Sequence, residues 1–262
     1  MIFWPNPHFK WTYRPVLAVA FTADGQTIVS AGEDDTISIW SLADLDQPPI
    51  LFLGHTNDVL ALIITPDGQL ISSSLDNTVR SWDLPNLRAE PTTLLEQERP
   101  VLGMALSGDG QTLALGGDDG TVQLYDLDNN AATIIGRHES SVIGVAFSPD
   151  QTRVASTGVD NTVQVWNLTE PGSPPWCFRA QFPRAGGPVS ARSATGSFWG
   201  DDKALIVWDL ANPTNEGLFC PAMSRACVPL PLSPDGCLWP RPTMIGRFVC
   251  GELILCPPPT VC

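Results

Sequence analysis

Asp76-Asn77-Thr78-Val79-Arg80-Ser81-Trp82-Asp83 is the stretch whose reading decides the fold. An Asp-Asn pair turns the chain, and an alternating run with β-branched residues then ends on an aromatic. That is a short strand entered through a tight turn. The same ending recurs as Asp34-Asp35-Thr36-Ile37-Ser38-Ile39-Trp40, Asp119-Gly120-Thr121-Val122-Gln123-Leu124-Tyr125, Asp160-Asn161-Thr162-Val163-Gln164-Val165-Trp166 and Asp202-Lys203-Ala204-Leu205-Ile206-Val207-Trp208. The closing aromatics stand 42, 43, 41 and 42 residues apart, a period at which each repeat is one supersecondary unit stacked on its neighbours. A chain built this way works through its loops and not through a single catalytic cleft.

Residues 54–84 show the unit in full. Gly54-His55 is followed, four residues after the histidine, by the apolar run Val59-Leu60-Ala61-Leu62-Ile63-Ile64. Thr65-Pro66-Asp67-Gly68 is a turn in which Pro fixes φ and Gly accepts a positive φ. Gln69-Leu70-Ile71-Ser72-Ser73-Ser74 is a second strand, and residues 78–82 make a third. Three strands with short connections form an antiparallel meander. Its outer strand is expected at Leu51-Phe52-Leu53, just ahead of the Gly-His pair. The first strand recurs as Val16–Phe21, Val101–Leu106 and Val142–Phe147, and the turn as Thr22-Ala23-Asp24-Gly25, Ser107-Gly108-Asp109-Gly110 and Ser148-Pro149-Asp150-Gln151.

Gly-His, Ser-Pro-Asp-Gly, the turn Asp and the closing Trp-Asp recur in register, and together they resemble the WD-repeat β-propeller family. The resemblance is close over residues 14–170, with an island at 200–213. It implies an all-β propeller of four-stranded antiparallel blades, incomplete or distorted after about residue 170. It also implies a buried hydrogen-bonded set locking each blade: His55, Ser72, Asp76 and Trp82 in one, His138, Ser156, Asp160 and Trp166 in another. Thr12 and Gln97 stand where the first and third copies should carry the histidine. Those two blades are expected to be less rigid, each missing buried hydrogen bond being worth about 1 kcal/mol.

A Ser, a His and an Asp together also suit a hydrolase. Yet the set repeats once per blade where an enzyme needs one site, and no Gly-x-Ser-x-Gly elbow is present. No phosphate-cradling Gly loop followed by Lys occurs either. No catalytic residue, cofactor or metal is therefore expected. Apolar residues make up 43% of 262, ample for a core, and the repeat length leaves room for about six blades. A net charge of −14 argues against a nucleic-acid platform, which needs clustered Lys and Arg. No run is apolar for long enough to span a bilayer, and the start lacks the basic flank and apolar stretch of a signal peptide. A cytoplasmic protein is the expectation.

After Thr169 the texture changes. Pro and Cys crowd the chain, and all seven cysteines (Cys177, Cys220, Cys227, Cys237, Cys250, Cys256 and Cys262) fall there. Seven is odd for a disulfide framework, and no Cys-x-x-Cys pair points to zinc. A shifted reading frame accounts for the change. Back-translated with suitable codons and one nucleotide dropped, residues 179–189 read Gly-His-Asn-Ser-Pro-Val-Arg-Ala-Val-Gln-Phe. With two nucleotides dropped, residues 222–227 yield His-Glu-Gln-Gly-Val, and residues 237–251 yield a strand closing on Trp one period beyond Trp208. The tract divides into a degraded repeat at 171–199, an isolated fragment at 200–213 and a poorly ordered remainder at 214–262; residues 1–13 form an N-terminal segment or outer strand.

In the family, partner contacts cluster on one rim: the residues flanking the first Val of each first strand, and the residue before the turn Asp. By position these are Leu17, Glu33, Asp58, Leu60, Leu75, Leu102, Asp118, Ile143 and Val159, together with Pro15, Pro100 and Ser141. Several of them could equally serve as packing between blades. As a rim they suit a peptide that places an apolar anchor beside a Lys or Arg. The resulting expectation is a non-enzymatic scaffold that binds protein or peptide partners. The alternatives are a non-functional or truncated product of a frame-shifted propeller gene, and a repeat module of a larger regulatory enzyme.

Overall fold

The computed structural model describes residues 14–44, 46–87, 89–179, 185–192, 195–200, 205–209, 218–220, 254–255 and 260–261, and every regular element among them is a strand. The chain divides into two compact units, Met1–Val101 and Leu102–Cys262.

The first unit holds two four-stranded antiparallel sheets, each a simple meander. One is β1 (Val16–Phe21), β2 (Thr27–Gly32), β3 (Ile37–Ser41) and β4 (Ile50–Phe52); the other is β5 (Val59–Ile64), β6 (Gln69–Ser74), β7 (Thr78–Asp83) and β8 (Thr92–Glu96). The second unit holds the meander β9 (Val101–Leu106), β10 (Thr112–Gly117), β11 (Thr121–Asp126) and β12 (Ala131–Arg137), whose first residue lies at the unit boundary. Its next sheet is β13 (Val142–Phe147), β14 (Arg153–Gly158), β15 (Thr162–Asn167) and β16 (Trp176–Arg179). A further meander is β17 (Ala185–Arg192), β18 (Thr195–Gly200), β19 (Leu205–Asp209) and β20 (Leu218–Cys220). Two short strands extend the last two sheets: β21 (Ile254–Leu255) pairs with β20, and β22 (Thr260–Val261) with β16. All-β blades of four antiparallel strands are thus the architecture, as the repeat implies.

Local chemistry explains the regularity. In the β5–β6 turn the Thr65 hydroxyl donates to Asp67, Gly68 N–H donates to Thr65 O at 3.0 Å, and Gly68 sits at φ 88°. That conformation is open to Gly at no steric cost. In the Asp-Asn turns the second residue takes the left-handed role: Asn77 at 70° and Asn161 at 64°. The preceding Asp accepts the N–H two residues on, as in Asp76 Oδ1 from Thr78 at 2.9 Å.

Strand alternation then buries one apolar set between neighbouring sheets of each unit. In the first, Val29, Ala31, Ile37, Ile39 and Phe52 pack with Val59, Leu70 and Trp82. In the second, Ala114 and Val122 pack with Val142, Val145, Phe147, Val154 and Trp166.

Two sequence expectations need restating. The strand just ahead of Gly-His does not belong to the blade that follows it. β4 pairs with β3, Ile37 opposite Phe52, while the following blade takes β8 as its outer strand, Thr78 opposite Glu96. Residues 53–58 are the crossing link, so the sequence repeat and the structural blade are offset by one strand. The tract boundaries also do not coincide with strand ends. β16 completes the fourth blade inside the segment 171–199, and β17–β20 run across 199 and 213 as one meander. Cys177, on β16, is buried and disulfide-bonded. Residues 1–13 (with Thr12) and most of 214–262 lie outside the described residues.

Candidate functional site

Two groups of residues concern function: a buried network in the second and fourth blades, and the loops at one end of each blade.

The network begins with position along the strand. Ser72 lies on β6 and Trp82 on β7, ten residues apart, and Trp82 Nε1 donates to Ser72 Oγ at 2.8 Å. His55, in the link from the preceding blade, places Nε2 at 2.7 Å from Ser72 Oγ and Nδ1 at 2.7 Å from Asp76 Oδ2. Asp76 also accepts from Thr78 Oγ1 at 2.6 Å and from Thr56 N–H at 3.1 Å. Because the ionised Asp76 carboxylate can only accept, the neutral imidazole carries its proton on Nδ1 and donates it there, and Nε2 accepts the Ser72 hydroxyl proton.

The fourth blade repeats this. Trp166 Nε1 donates to Ser156 Oγ at 2.8 Å, His138 Nε2 lies 2.8 Å from the same oxygen, and His138 Nδ1 lies 3.0 Å from Asp160 Oδ2. Thr162 Oγ1 donates to Asp160 Oδ1 at 2.7 Å.

Burial sets the charge states. It holds both imidazoles below their ordinary 6.5, against the pull of Asp76 and Asp160. Burial would raise the Asp76 carboxyl, but hydrogen bonds from Thr78 and His55 outweigh it and bring the pKa down to about 2. Asp160 is lowered for the same reasons, burial opposing and Thr162 and His138 prevailing. A neutral His between a Ser hydroxyl and a carboxylate has the connectivity of a hydrolytic triad. Here, however, each Ser is fully buried with a Trp on its oxygen, and the arrangement occurs in two blades. It is a lock between strands.

The sequence reading missed four residues. Thr78 and Thr162 hold the acids; their signal was present, a Thr two residues after the turn Asp in four repeat endings. In the third blade Leu115 occupies the position of Ser72, ten residues before Tyr125, and both are almost fully buried. The Tyr125 hydroxyl instead reaches Asn130 Oδ1 at 3.1 Å. At the Ser position the third blade thus has an apolar side chain, while its turn acid Asp119 still accepts from Thr121 Oγ1 at 2.6 Å. Gly136 is the fourth: a Cβ there would fall 2.0 Å from Trp166 Cζ3, so only glycine lets the indole lie across β12.

The loop residues come together within blades. Glu33 N–H donates to Pro15 O at 3.1 Å, Leu75 to Asp58 O at 2.9 Å and Val159 to Ser141 O at 2.9 Å. In the first, second and fourth blades the residue before the turn Asp is thus fastened beside the start of the first strand. In the first unit Leu17 and Leu75 are exposed, and Glu33, Asp58 and Leu60 are half-buried. In the second, Val159 is exposed, and Leu102, Asp118 and Ile143 are half-buried. Ser141 Oγ donates to Asp118 Oδ1 at 2.8 Å, tying the third blade to the fourth.

The family described as WD domain, G-beta repeat (WD40), matches at residues 7–41, 47–83, 90–126 and 130–167, more than half of the chain. The chain belongs to the WD-repeat family. No curated protein matches it. WD repeats are generally protein-interaction modules, and proteins built from them are typically non-enzymatic. The four matched WD repeats end at Trp40 plus one, Asp83, Asp126 and Asn167, so each boundary falls at the close of a third strand, one strand short of the structural blade.

Proposed function

We propose that this WD-repeat chain is a non-enzymatic scaffold, acting in the cytoplasm, that captures peptide segments of partner proteins at the blade ends carrying Leu17, Leu60, Leu75, Leu102, Ile143 and Val159. The observation that carries the proposal is the pairing of exposed aliphatics with acids at those ends. Leu75 is exposed and fastened to the Asp58 backbone, and Val159 is exposed beside Ser141, which holds Asp118. An exposed large apolar side chain on a fixed loop loses little conformational freedom on binding, and a half-buried carboxylate beside it selects cations. The partner segment is accordingly one with an aliphatic or aromatic anchor next to Lys or Arg. Such an acidic surface repels nucleic-acid phosphate and anionic lipid.

The test is a panel of peptides that pair one apolar anchor with Lys, Arg, Glu or Gln, titrated against the full chain and against Leu75→Glu and Val159→Glu. Both positions are exposed, so the fold tolerates the change. Basic peptides should bind, and each substitution should weaken them at least tenfold. Equal binding of the acidic peptides, or unaltered affinity in both variants, rules this reading out.

A further inference from the structure

The blade ends that carry Leu75 and Val159 are built on the same short segments as the buried locks. In the second blade, residues 55–58 lie against residues 74–76. Leu75 N–H donates to Asp58 O at 2.9 Å, Ser74 Oγ to Asn57 O at 2.9 Å, and Thr56 N–H to Asp76 Oδ2 at 3.1 Å. Asp76 N–H in turn donates to Ser74 Oγ at 3.0 Å. His55, its side chain fully buried, opens the first segment, and its partner Asp76 closes the second. The exposed Leu75 and the half-buried Asp58 thus stand on two pieces of chain that the His55–Asp76 pair holds together. The fourth blade matches. Val159 N–H donates to Ser141 O at 2.9 Å and Glu139 N–H to Asp160 Oδ2 at 3.0 Å, with the buried His138 at the head of that segment.

We propose that His55 and His138 are a proton switch on peptide capture, so that the blade ends hold a basic peptide at neutral pH and release it in mild acid; this rests on the blade-end reading of function. Nδ1 of His55 already carries a proton toward Asp76, so an added proton goes to Nε2. There it displaces the Ser72 hydroxyl proton. Ser72 Oγ then faces two donors, Nε2–H and Trp82 Nε1–H, and its own proton has no acceptor, those two groups being its hydrogen-bond partners among the described residues. A buried donor without an acceptor is costly, and turning the imidazole away from Ser72 relieves it. That movement loosens the segment carrying Asp58 from the one carrying Leu75. In the fourth blade the displaced Ser156 proton finds only Gln164 O, at 3.5 Å, a poor distance. The new charge, three residues from Asp58, also repels the Lys or Arg that the acid attracts.

The surrounding charges set where the switch acts. Burial holds His55 below its ordinary 6.5 against the pull of Asp76, with Arg80 reinforcing burial and Asp35 opposing it. Burial holds His138 below 6.5 against Asp160. Arg137 and Glu139 flank His138 in the chain, Arg137 lying 3.7 Å from Asp119. Capture is therefore complete above the ordinary value and is lost as pH falls through the lower folded ones. Arg80, with its guanidinium 4.0 Å from Asp76, has Gln164 as its counterpart in the fourth blade.

The test titrates Lys- and Arg-bearing anchor peptides, with blocked termini and no acid or histidine, against the full chain from pH 7.5 to 5, circular dichroism confirming that the fold persists. The wild type should lose about fivefold or more in affinity across that range. The double variant His55→Gln, His138→Gln carries the residue that Gln97 supplies in the third copy, and its affinity should not depend on pH. Arg80→Gln, which removes the cation near His55, should begin the loss at higher pH. By reciprocity, saturating peptide should move the titration of both imidazoles, followed by NMR, to lower pH. Wild-type affinity that is level with pH, an equal decline in the double variant, or a loss that starts at lower pH in Arg80→Gln overturns the switch and leaves the blade-end site standing. No capture at pH 7.5 overturns both.

Discussion

Ser72 and Ser73 are neighbours of the same type, both fully buried, and they do opposite things. Ser72 Oγ accepts from Trp82 Nε1 at 2.8 Å and lies 2.7 Å from His55 Nε2. Ser73 points to the other face of β6, and its hydroxyl has no hydrogen-bond partner among the described residues. Truncating a partner that leaves buried polar groups unsatisfied costs more than the bond itself, whereas removing an unsatisfied hydroxyl costs little or stabilises. Ser72→Ala should therefore lower unfolding stability by about 2 kcal/mol, and Ser73→Ala should leave it unchanged or raise it by up to about 1 kcal/mol. Urea midpoints of the two variants decide the matter, and equal losses would show that the network at Ser72 contributes nothing beyond packing. Ser72 was legible from the chain because it stands ten residues before a repeat-closing Trp. The partnerless Ser73 was not, because side-chain satisfaction depends on what the opposite face packs against.

At the scale of the element, blades differ in how they respond to acid. His55 and His138 have folded pKa values depressed by burial, so between the ordinary 6.5 and those lower values the unfolded chain binds protons that the folded chain refuses. Their contribution is present above about pH 6.5 and is lost as pH falls. Asp76 follows: its stabilisation is present above the ordinary 3.8 and disappears as pH falls through about 2. After allowance for solvent screening that step amounts to about 1–2 kcal/mol. The third blade, with Gln97, Leu115 and Tyr125 at the corresponding positions, has no histidine to titrate. Since the two imidazoles sit in separate blades, their effects should add. His55→Gln and His138→Gln are each expected to remove about half of the stability lost between pH 7 and 5, and the double variant most of it. An undiminished loss in the double variant would place the acid response elsewhere. The offset between sequence repeat and blade also belongs to this scale. Periodicity locates every strand of the repeat but not its pairing, because Leu51-Phe52-Leu53 reads alike as the strand before His55 or the strand after Trp40, and only the Ile37–Phe52 register separates the two.

Over the whole chain, the four matched repeats and the fifth meander share a backbone register that their residues do not share. Thr195 lies opposite Asp209 and Gly196 opposite Trp208, as Gln69 lies opposite Asp83 and Leu70 opposite Trp82. Counting ten residues back from Trp208 gives Phe198 where the locking Ser stands in the second and fourth blades. The strands can pair because pairing needs backbone groups and alternation; the lock cannot form because it needs one Ser, one His and one Asp at fixed steps. A shifted reading frame would produce that difference, and a side-chain pattern lost over a retained backbone register makes the fold past residue 170 less legible than the fold before it. Resequencing the coding region for residues 170–262 should reveal the slips. Replacing residues 179–189 by Gly-His-Asn-Ser-Pro-Val-Arg-Ala-Val-Gln-Phe restores a histidine two residues into the segment and a Val four residues after it. Because Phe198 still stands where the locking Ser would be, the restored histidine can regain one buried hydrogen bond, to the turn Asp; that contributes about 1 kcal/mol, and a chain of this size gains roughly 2–4 °C in Tm per kcal/mol. The restored chain should therefore melt a few degrees higher and more sharply than the present one. A lower or unchanged transition, together with a clean uninterrupted frame, would mean that the Cys- and Pro-rich tract is the native continuation of the repeats and that its strands are stabilised by contacts of their own.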